Sequence, residues 1–438
     1  MSRQAYPAYK PSGIEWLGEI PAGWITVSVK RKYAIQLGKM LQNNPESDAD
    51  VSVPYIKALH VNWGKVNTSD LPEMWANPAE IGQFGVKSGD LLVCEGGEAG
   101  RAGIVSTLPT PCIIQNALHR VRGKDADVRF LQYVFHAVGS GGWFEVLCNK
   151  ATIAHFTREK LAELRMPLPL NIDEQRAIAA FLDRETARID ALIEKKQRQI
   201  ELLREKRTAL ISHAVTKGLN PNVKMKDSGI EWLGEIPEHW RCLQIKRLSL
   251  VKRGASPRPI DDPKYFDEEG KYSWVRIADV TASTHYLEVT TQRLSPLGKS
   301  LSVPLEPGAI FLSIAGSVGK PIITKVKCCI HDGFVYFPQF KGNPEFLYYI
   351  FASGQPYGGL GKLGTQLNLN TDTVGAIKIG YPAEDEQRAI AAFLDRETAN
   401  LDAMIEKINK SLELLREYRT ALISAAVTGK IDVREEVS

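Results

Sequence analysis

The fifteen residues Asp-Glu-Gln-Arg-Ala-Ile-Ala-Ala-Phe-Leu-Asp-Arg-Glu-Thr-Ala occur twice, at 173–187 and 385–399, and each copy opens a long run of helical periodicity. Carried forward at an offset of 212, residues 173–216 and 385–428 agree at 34 of 44 positions. A second repeat supports the first: SGIEWLGEIPAGW at 12–24 returns as SGIEWLGEIPEHW at 228–240, with 11 of 13 residues identical. Between these near-identical blocks lie two segments of similar size, about 25–172 and 241–384, whose residues differ almost everywhere. A chain built this way must fold twice into the same frame, so it presents two different surfaces in fixed relation.

The helical blocks define their own packing. Leu394, Leu401, Ile408, Leu415 and Leu422 recur at sevens, with Ile405 and Leu412 at the neighbouring core position, the apolar spacing of a coiled-coil seam. The first block repeats it at Leu182, Ile189, Leu203 and Leu210, flanked by Ile193 and Ile200, while Lys196 stands where the second has Ile408. One heptad of the first helix is therefore weakened. Asn171 with Glu174 fits a capping box, and Gly218 and Gly429 stand where the helices should stop. A helix over 183–215 is roughly 50 Å long at about 1.5 Å per residue. Its narrow apolar stripe requires a partner, and the simplest partner is the other copy; pseudo-twofold symmetry makes the pair antiparallel.

The inserts read as α/β (α+β) domains of mixed short strands and helices. Apolar or β-branched runs at 51–61, 90–94, 310–314, 321–323 and 334–337 are broken by Gly, Pro and Asn. Faint correspondences survive: 97–101 (GEAGR) with 316–320 (GSVGK), Gln115-Asn116 with His331-Asp332, and 130–133 (FLQY) with 346–349 (FLYY). A net charge of +4 confines any nucleic-acid surface to local patches. Six cysteines without a C-x-x-C pair suggest neither zinc nor a disulfide framework, and His155, His213 and His239 form no H-x-x-x-H pair, so no metal site is expected. The absence of an apolar leader or an 18-residue apolar run points to a cytoplasmic protein without membrane association.

Two variable segments, each followed by DEQRAIAAFLD and preceded by SGIEWLGEIP, resemble the specificity (S) subunit of type I restriction-modification systems, over essentially the whole chain. The resemblance implies target recognition domains at 1–172 and 219–384, with spacer and docking helices at 173–218 and 385–438. It implies a non-catalytic subunit that reads an asymmetric, interrupted sequence in double-stranded DNA. It further implies two modification (methyltransferase) subunits as partners, with restriction (translocase and nuclease) subunits completing the complex. No cofactor is expected in this chain; S-adenosylmethionine, ATP and magnesium belong to the partners. Readers in successive major grooves stand roughly 34 Å apart, a separation that helices of the estimated length could span. The competing readings are a protein-interaction scaffold that binds no DNA, or a self-sufficient methyltransferase or nuclease. For the latter, 343–346 (NPEF) is one residue from a methyltransferase N-P-P-Y/F loop but lacks a cofactor-binding glycine loop, and Asp262 with Glu269 and Lys271 imitates a nuclease core only loosely.

Candidate DNA contacts follow from residue chemistry. In Gly-x-x-Gly-Arg/Lys, glycines bring backbone N–H groups close to phosphate while Arg101 or Lys320 supplies charge, although a tight turn with a solvated cation fits equally. It is not a P-loop, because Pro321 stands where a Ser or Thr would hold magnesium. Arg, Lys, Asn and Gln read base edges, and histidine offers a further polar group, which adds Lys57, His60, Asn62, Lys65, Gln115, Asn116, Asn149, Lys150 and His155 in the first insert. The second contributes Lys252, Arg253, Arg258, His331, Lys362, Gln366 and Asn368. Trp16, Trp24, Trp232 and Trp240 are duplicated with the frame and read as packing anchors rather than stacking platforms.

Overall fold

The computed structural model describes residues 4–147, 155–358, 362–363, 366–367 and 369–437. The chain divides into two compact units, Met1–Lys196 with Asn409–Ser438, and Gln197–Ile408. Two long helices, Ile172–Lys217 and Glu384–Val427, each give one half to either unit. Among the described residues no helix is long and apolar enough to cross a membrane.

Each unit contains the expected antiparallel helical pair. In the first, Leu182 and Ile189 share one core with Leu415, Leu422, Ile423 and Val427. There the Arg419 guanidinium grips Asp190 through Nε and Nη2 at 2.8 and 3.2 Å. In the second, Leu394, Leu401 and Ile408 are buried, Leu203 and Leu210 half-buried, and Arg207 pairs with Asp402 at 3.4 Å. Arg207 and Asp402 are the repeat equivalents of Arg419 and Asp190, so the same ion pair fixes the register in both units. Lys196, the misfit of the seam, is half-buried, as a long aliphatic stem with a charged tip allows.

The inserts share a topology that their sequences barely betray. In the first unit a five-stranded sheet runs in the order Tyr33–Leu37, Leu118–Gly123, Leu91–Cys94, Ala102–Ile104, Gly64–Lys65. In the second it runs Lys252–Arg253, Phe334–Tyr336, Ile310–Ser313, Pro321–Thr324, Tyr286–Leu287. Both have three antiparallel contacts and a parallel last one. A smaller sheet sits beside each, ordered Ile113–Ile114, Val51–Ile56, Glu73–Ala76 in the first and Gln292–Leu294, Tyr272–Val275, Cys328–Ile330, Val303–Leu305 in the second. Gly38 and Gly254 mark matched points of close approach: a Cβ there would lie 2.2 Å from the carbonyl oxygens of Gln115 and His331 respectively.

Each insert begins and ends on one antiparallel pair, Trp24–Ser28 with Arg165–Pro169 and Arg241–Gln244 with Lys378–Tyr381. From there the repeated residues clamp it to the helix. The buried Gln175 amide donates to the Pro169 carbonyl (2.8 Å) and accepts from the Asp127 N–H (2.9 Å), and Asp127 caps the helix Val128–Ser140. Gln387 does the same with Pro382 and Asn343, the cap of Pro344–Ala352. Two turns onward, Tyr133 donates to Asp183 (2.7 Å) and Tyr349 to Asp395 (2.6 Å).

The helix starts differ from expectation in one respect. Asn171 Oδ1 does cap, accepting the Asp173 N–H at 2.8 Å. Glu174, expected to complete a capping box, instead accepts from Trp24 Nε1 (2.9 Å) and Tyr6 Oη (2.8 Å). Glu386 likewise accepts from Trp240 Nε1 at 3.1 Å. A carboxylate bonded to an indole deep in the core wins over the local box because it satisfies a donor that water cannot reach. Trp24 and Trp240 are thus buried anchors, as their duplication suggested. At the opposite helix ends Gly218 and Gly429 adopt φ of +74° and +73°, the left-handed C-terminal stop expected of glycine.

Candidate nucleic-acid interface

At one end of the main sheet the first insert gathers most of its expected contact residues. The loop carrying Gln115 and Asn116 is tied to its neighbours by Gln115 N–H to Ile56 O (3.0 Å) and Asn116 N–H to Lys39 O (2.9 Å). Arg101 Nη2 reaches the Ala58 carbonyl at 3.0 Å, which brings the 95–101 hairpin loop against the turn that contains His60. His155 lies beside the same loop, its ring 3.6 Å from the position of a Cβ on Gly96. Lys57, His60, Arg101, Gln115, Asn116 and His155 therefore belong to one loop cluster. Asn62, Lys65, Asn116 and His155 are exposed, and Lys57 is half-buried. Asn149 and Lys150 lie outside the described residues.

The glycine loops take the same form in both inserts. Residues 95–101 and 314–320 each connect two antiparallel strands, with Gly97, Gly100, Gly316 and Gly319 at positive φ. Gly100 and Gly319 give their N–H groups to Cys94 O (3.0 Å) and Ser313 O (2.8 Å). The cations are anchored too: Arg101 binds Glu98 (2.9 Å) as well as Ala58, and Lys320 Nζ donates to Thr281 O at 3.0 Å. Burial lowers the Lys320 ammonium below its ordinary range. Each loop is thus a hairpin turn whose cation holds down the adjacent segment.

The second insert builds its cluster around Asp332. Ser256 Oγ donates to Asp332 Oδ1 (2.9 Å), Arg258 Nη2 to Oδ2 (3.1 Å), and Arg253 Nε to the backbone carbonyl. Burial works against ionising Asp332, but the Ser256 hydrogen bond and the nearby Arg258 and Arg253 charges carry its carboxyl below the usual range. Lys252, Arg253 and Arg258 are exposed. Of Lys362 and Gln366 only the backbone is described, as the antiparallel pairing of Lys362–Leu363 with Gln366–Leu367; their side chains, and Asn368 altogether, lie outside the described residues.

Two histidines named from sequence are occupied with structure. His60 Nδ1 accepts the Lys57 N–H (3.2 Å), and His331 Nδ1 accepts the Gly333 N–H (2.8 Å). Burial lowers both imidazoles, with Lys57 adding to the effect at His60 and Asp332 opposing it at His331. Each ring nitrogen left over is an N–H donor when the ring is neutral. Sequence reading missed His119, fully buried with Nε2 at 3.1 Å from Phe156 O, and the shielded pair Lys39–Glu80 at 2.6 Å. No local pattern marks either, since their partners are distant in the chain.

Two heads of one topology, each closed at the base by an antiparallel strand pair and clamped to the helix that follows it, define a duplicated recognition protein. Known structures have this fold. A chain from a study titled "Structural basis underlying complex assembly and conformational transition of the type I R-M system" superposes with a TM-score of 0.70, covering 93% of this chain and 98% of its own, at 16% identity. The HsdS subunit of Thermoanaerobacter tengcongensis superposes with a TM-score of 0.58, covering 94% and 98%, also at 16% identity. The model of the type I restriction modification DNA specificity domain matches twice, at 35–202 and 237–414, so the chain belongs to that family. Relatives include the type I restriction enzyme MjaVIII specificity subunit of Methanocaldococcus jannaschii, 26% identical over 69% of this chain and 70% of that one. The EcoBI specificity subunit of Escherichia coli is 20% identical over 95% and 88%. The role of this chain is DNA sequence specificity within a type I restriction-modification complex, recognition rather than catalysis.

Proposed function

We propose that each head, 1–172 and 219–384, reads one half of an interrupted duplex target, and that the residues at the loop end of each main sheet make the contacts. The observation that carries this reading is a common backbone with exchanged chemistry: Gln115-Asn116 on one head corresponds to His331-Asp332 on the other. Exposed Asn62, Lys65 and Asn116 supply amide and cationic groups in the first head; Lys252, Arg253 and Arg258 supply cations in the second. Amides suit adenine and arginine suits guanine, so exchanging loop residues on one scaffold changes the target without rebuilding the fold. The repeated helices, 173–218 and 385–438, would dock two modification subunits carrying S-adenosylmethionine. Restriction subunits using ATP and magnesium would complete an assembly in the cytoplasm.

Replacement of either head by that of another specificity subunit, followed by genome-wide mapping of methylated adenines, tests the proposal. One half of the motif should change and the other persist. A motif unaltered by head replacement refutes it. Duplex binding by the complex with modification subunits should weaken steeply with salt, in proportion to the phosphates neutralised.

A further inference from the structure

The internal duplication provides a comparison within one molecule, and it exposes a reversed charge. In the first unit, Asp183 at the clamp is neutralised by Arg129, with Nη1 3.1 Å from Oδ2. The aligned segments 130–133 (FLQY) and 346–349 (FLYY) place Glu345 where the first half has Arg129. Asp183 itself is retained as Asp395. The second unit therefore sets two carboxylates side by side where the first has an ion pair, an arrangement that a bound cation would stabilise.

His285 stands between them. Its Nε2 lies 2.7 Å from Glu345 Oε2 and its Nδ1 4.0 Å from Asp395 Oδ1, and one atom from each of the three residues lies within 4.8 Å of the others. The site is partly shielded, with side-chain exposures of 17% for His285, 25% for Glu345 and 41% for Asp395. Its members are held in place. The imidazole is stacked between Tyr286 (4.1 Å, 6°) and Tyr348 (3.6 Å, 11°). Tyr286 Oη donates to Glu345 Oε1 at 3.0 Å, while Oε2 faces His285; Tyr349 Oη donates at 2.6 Å to Asp395 Oδ1, the oxygen that also faces His285 Nδ1. Outer-shell donors that orient ligating carboxylates are what a metal site needs beyond its ligands.

We propose that His285, Glu345 and Asp395 bind a divalent first-row transition ion, of the Zn2+ or Mn2+ class, which replaces in the second half the charge that Arg129 supplies in the first. One imidazole nitrogen and two carboxylate oxygens suit such an ion, with water completing its shell. The ion would fasten the second head to the C-terminal helix through Asp395, and its role is structural.

The full chain, stripped with chelator, tests this by titration calorimetry with Zn2+, Mn2+ and Mg2+, alongside the variants His285→Ala and Glu345→Arg. One Zn2+ or Mn2+ should bind per chain and raise the unfolding temperature, with Mg2+ much weaker. His285→Ala should weaken binding by roughly ten-fold or more. Glu345→Arg, which copies the first half, should abolish uptake while unfolding no earlier than the metal-free parent, which separates loss of the site from loss of the fold. Absence of saturable uptake by the parent, or equal uptake by the parent and Glu345→Arg, overturns the proposal.

Discussion

Replacing Gln175 by alanine should cost more stability than any exposed substitution in the repeated block. The residue is 1% exposed, and its amide satisfies two backbone groups, the Pro169 carbonyl and the Asp127 N–H. Alanine leaves both without a partner in a site closed to water. Each orphan costs about 1–3 kcal/mol, so the loss should be about 2–6 kcal/mol, before any cavity term. For a unit of this size that corresponds to a fall of about 4–24 °C in the unfolding transition. The transition should be followed by tryptophan fluorescence, because Trp24 bonds to the neighbouring Glu174. Hydrogen exchange of the peptide containing Asp127 should accelerate in parallel. Gln387→Ala should show an equal loss in the second unit, where Pro382 and Asn343 play the same parts. Arg176→Ala, whose side chain is 56% exposed, is the control and should stay within about 0.5 kcal/mol of the parent. A Gln175→Ala protein as stable as that control would show that the amide does not join head to helix.

Three further outcomes follow from other sites. Alanine at Gly218 or Gly429 meets an unfavourable φ, worth about 1 kcal/mol; at Gly429 its Cβ would also lie 2.3 Å from Pro21 Cδ, against 3.4 Å to the nearest atom at Gly218, so denaturant unfolding should show Gly429→Ala to be clearly the worse. Burial first, then the Arg419 charge, pushes the His136 imidazole down to about 4 from an ordinary 6.5. The unfolded chain therefore takes up the proton first, stability falls as pH drops from about 6.5 towards 4 and levels below that, and His136→Gln should remove up to about 3 kcal/mol of that slope. Burial also pushes the thiols of Cys112 and Cys328 up to about 11 and that of Cys329 up to about 12, so under native conditions iodoacetamide should alkylate the half-buried Cys242 well before these three, as mass spectrometry would show.

The frame was legible in the sequence because it is written twice. Heptad spacing revealed Leu394 to Leu422, and coincidence with the first block supplied the partner and its direction. Glu174 shows where local reading stops: a capping box is a pattern within four residues, whereas the bonds from Trp24 and Tyr6 close loops of 150 and 168 residues. The sheets were only faintly visible for the same reason. Strands as short as Gly64–Lys65 and Tyr286–Leu287 carry no alternation, and their parallel pairing with Ala102–Ile104 and Pro321–Thr324 is set by the tertiary fold. Candidate contact residues were chosen by chemistry, which picks out Arg101 and Lys320 without revealing that Ala58 and Thr281 already hold them. His285, Glu345 and Asp395 are separated by 60 and 50 residues, so no spacing rule finds them; the one signal was a glutamate aligned with Arg129.

The closure of the first unit has a consequence in time. Asp432 N–H bonds to the Gln4 carbonyl and Tyr9 Oη to Gly429 O, while Arg184 reaches Glu436 O. What one continuous stretch from Lys217 to Trp240 does for the second unit, residues separated by 252 to 428 positions do for the first. During synthesis the second unit, 197–408, therefore has all its parts while the first still lacks the helical segment that covers Phe181 and Leu182. The head made first is completed last, and until residues 409–438 emerge its apolar helix face must be shielded or risk capture by another nascent chain.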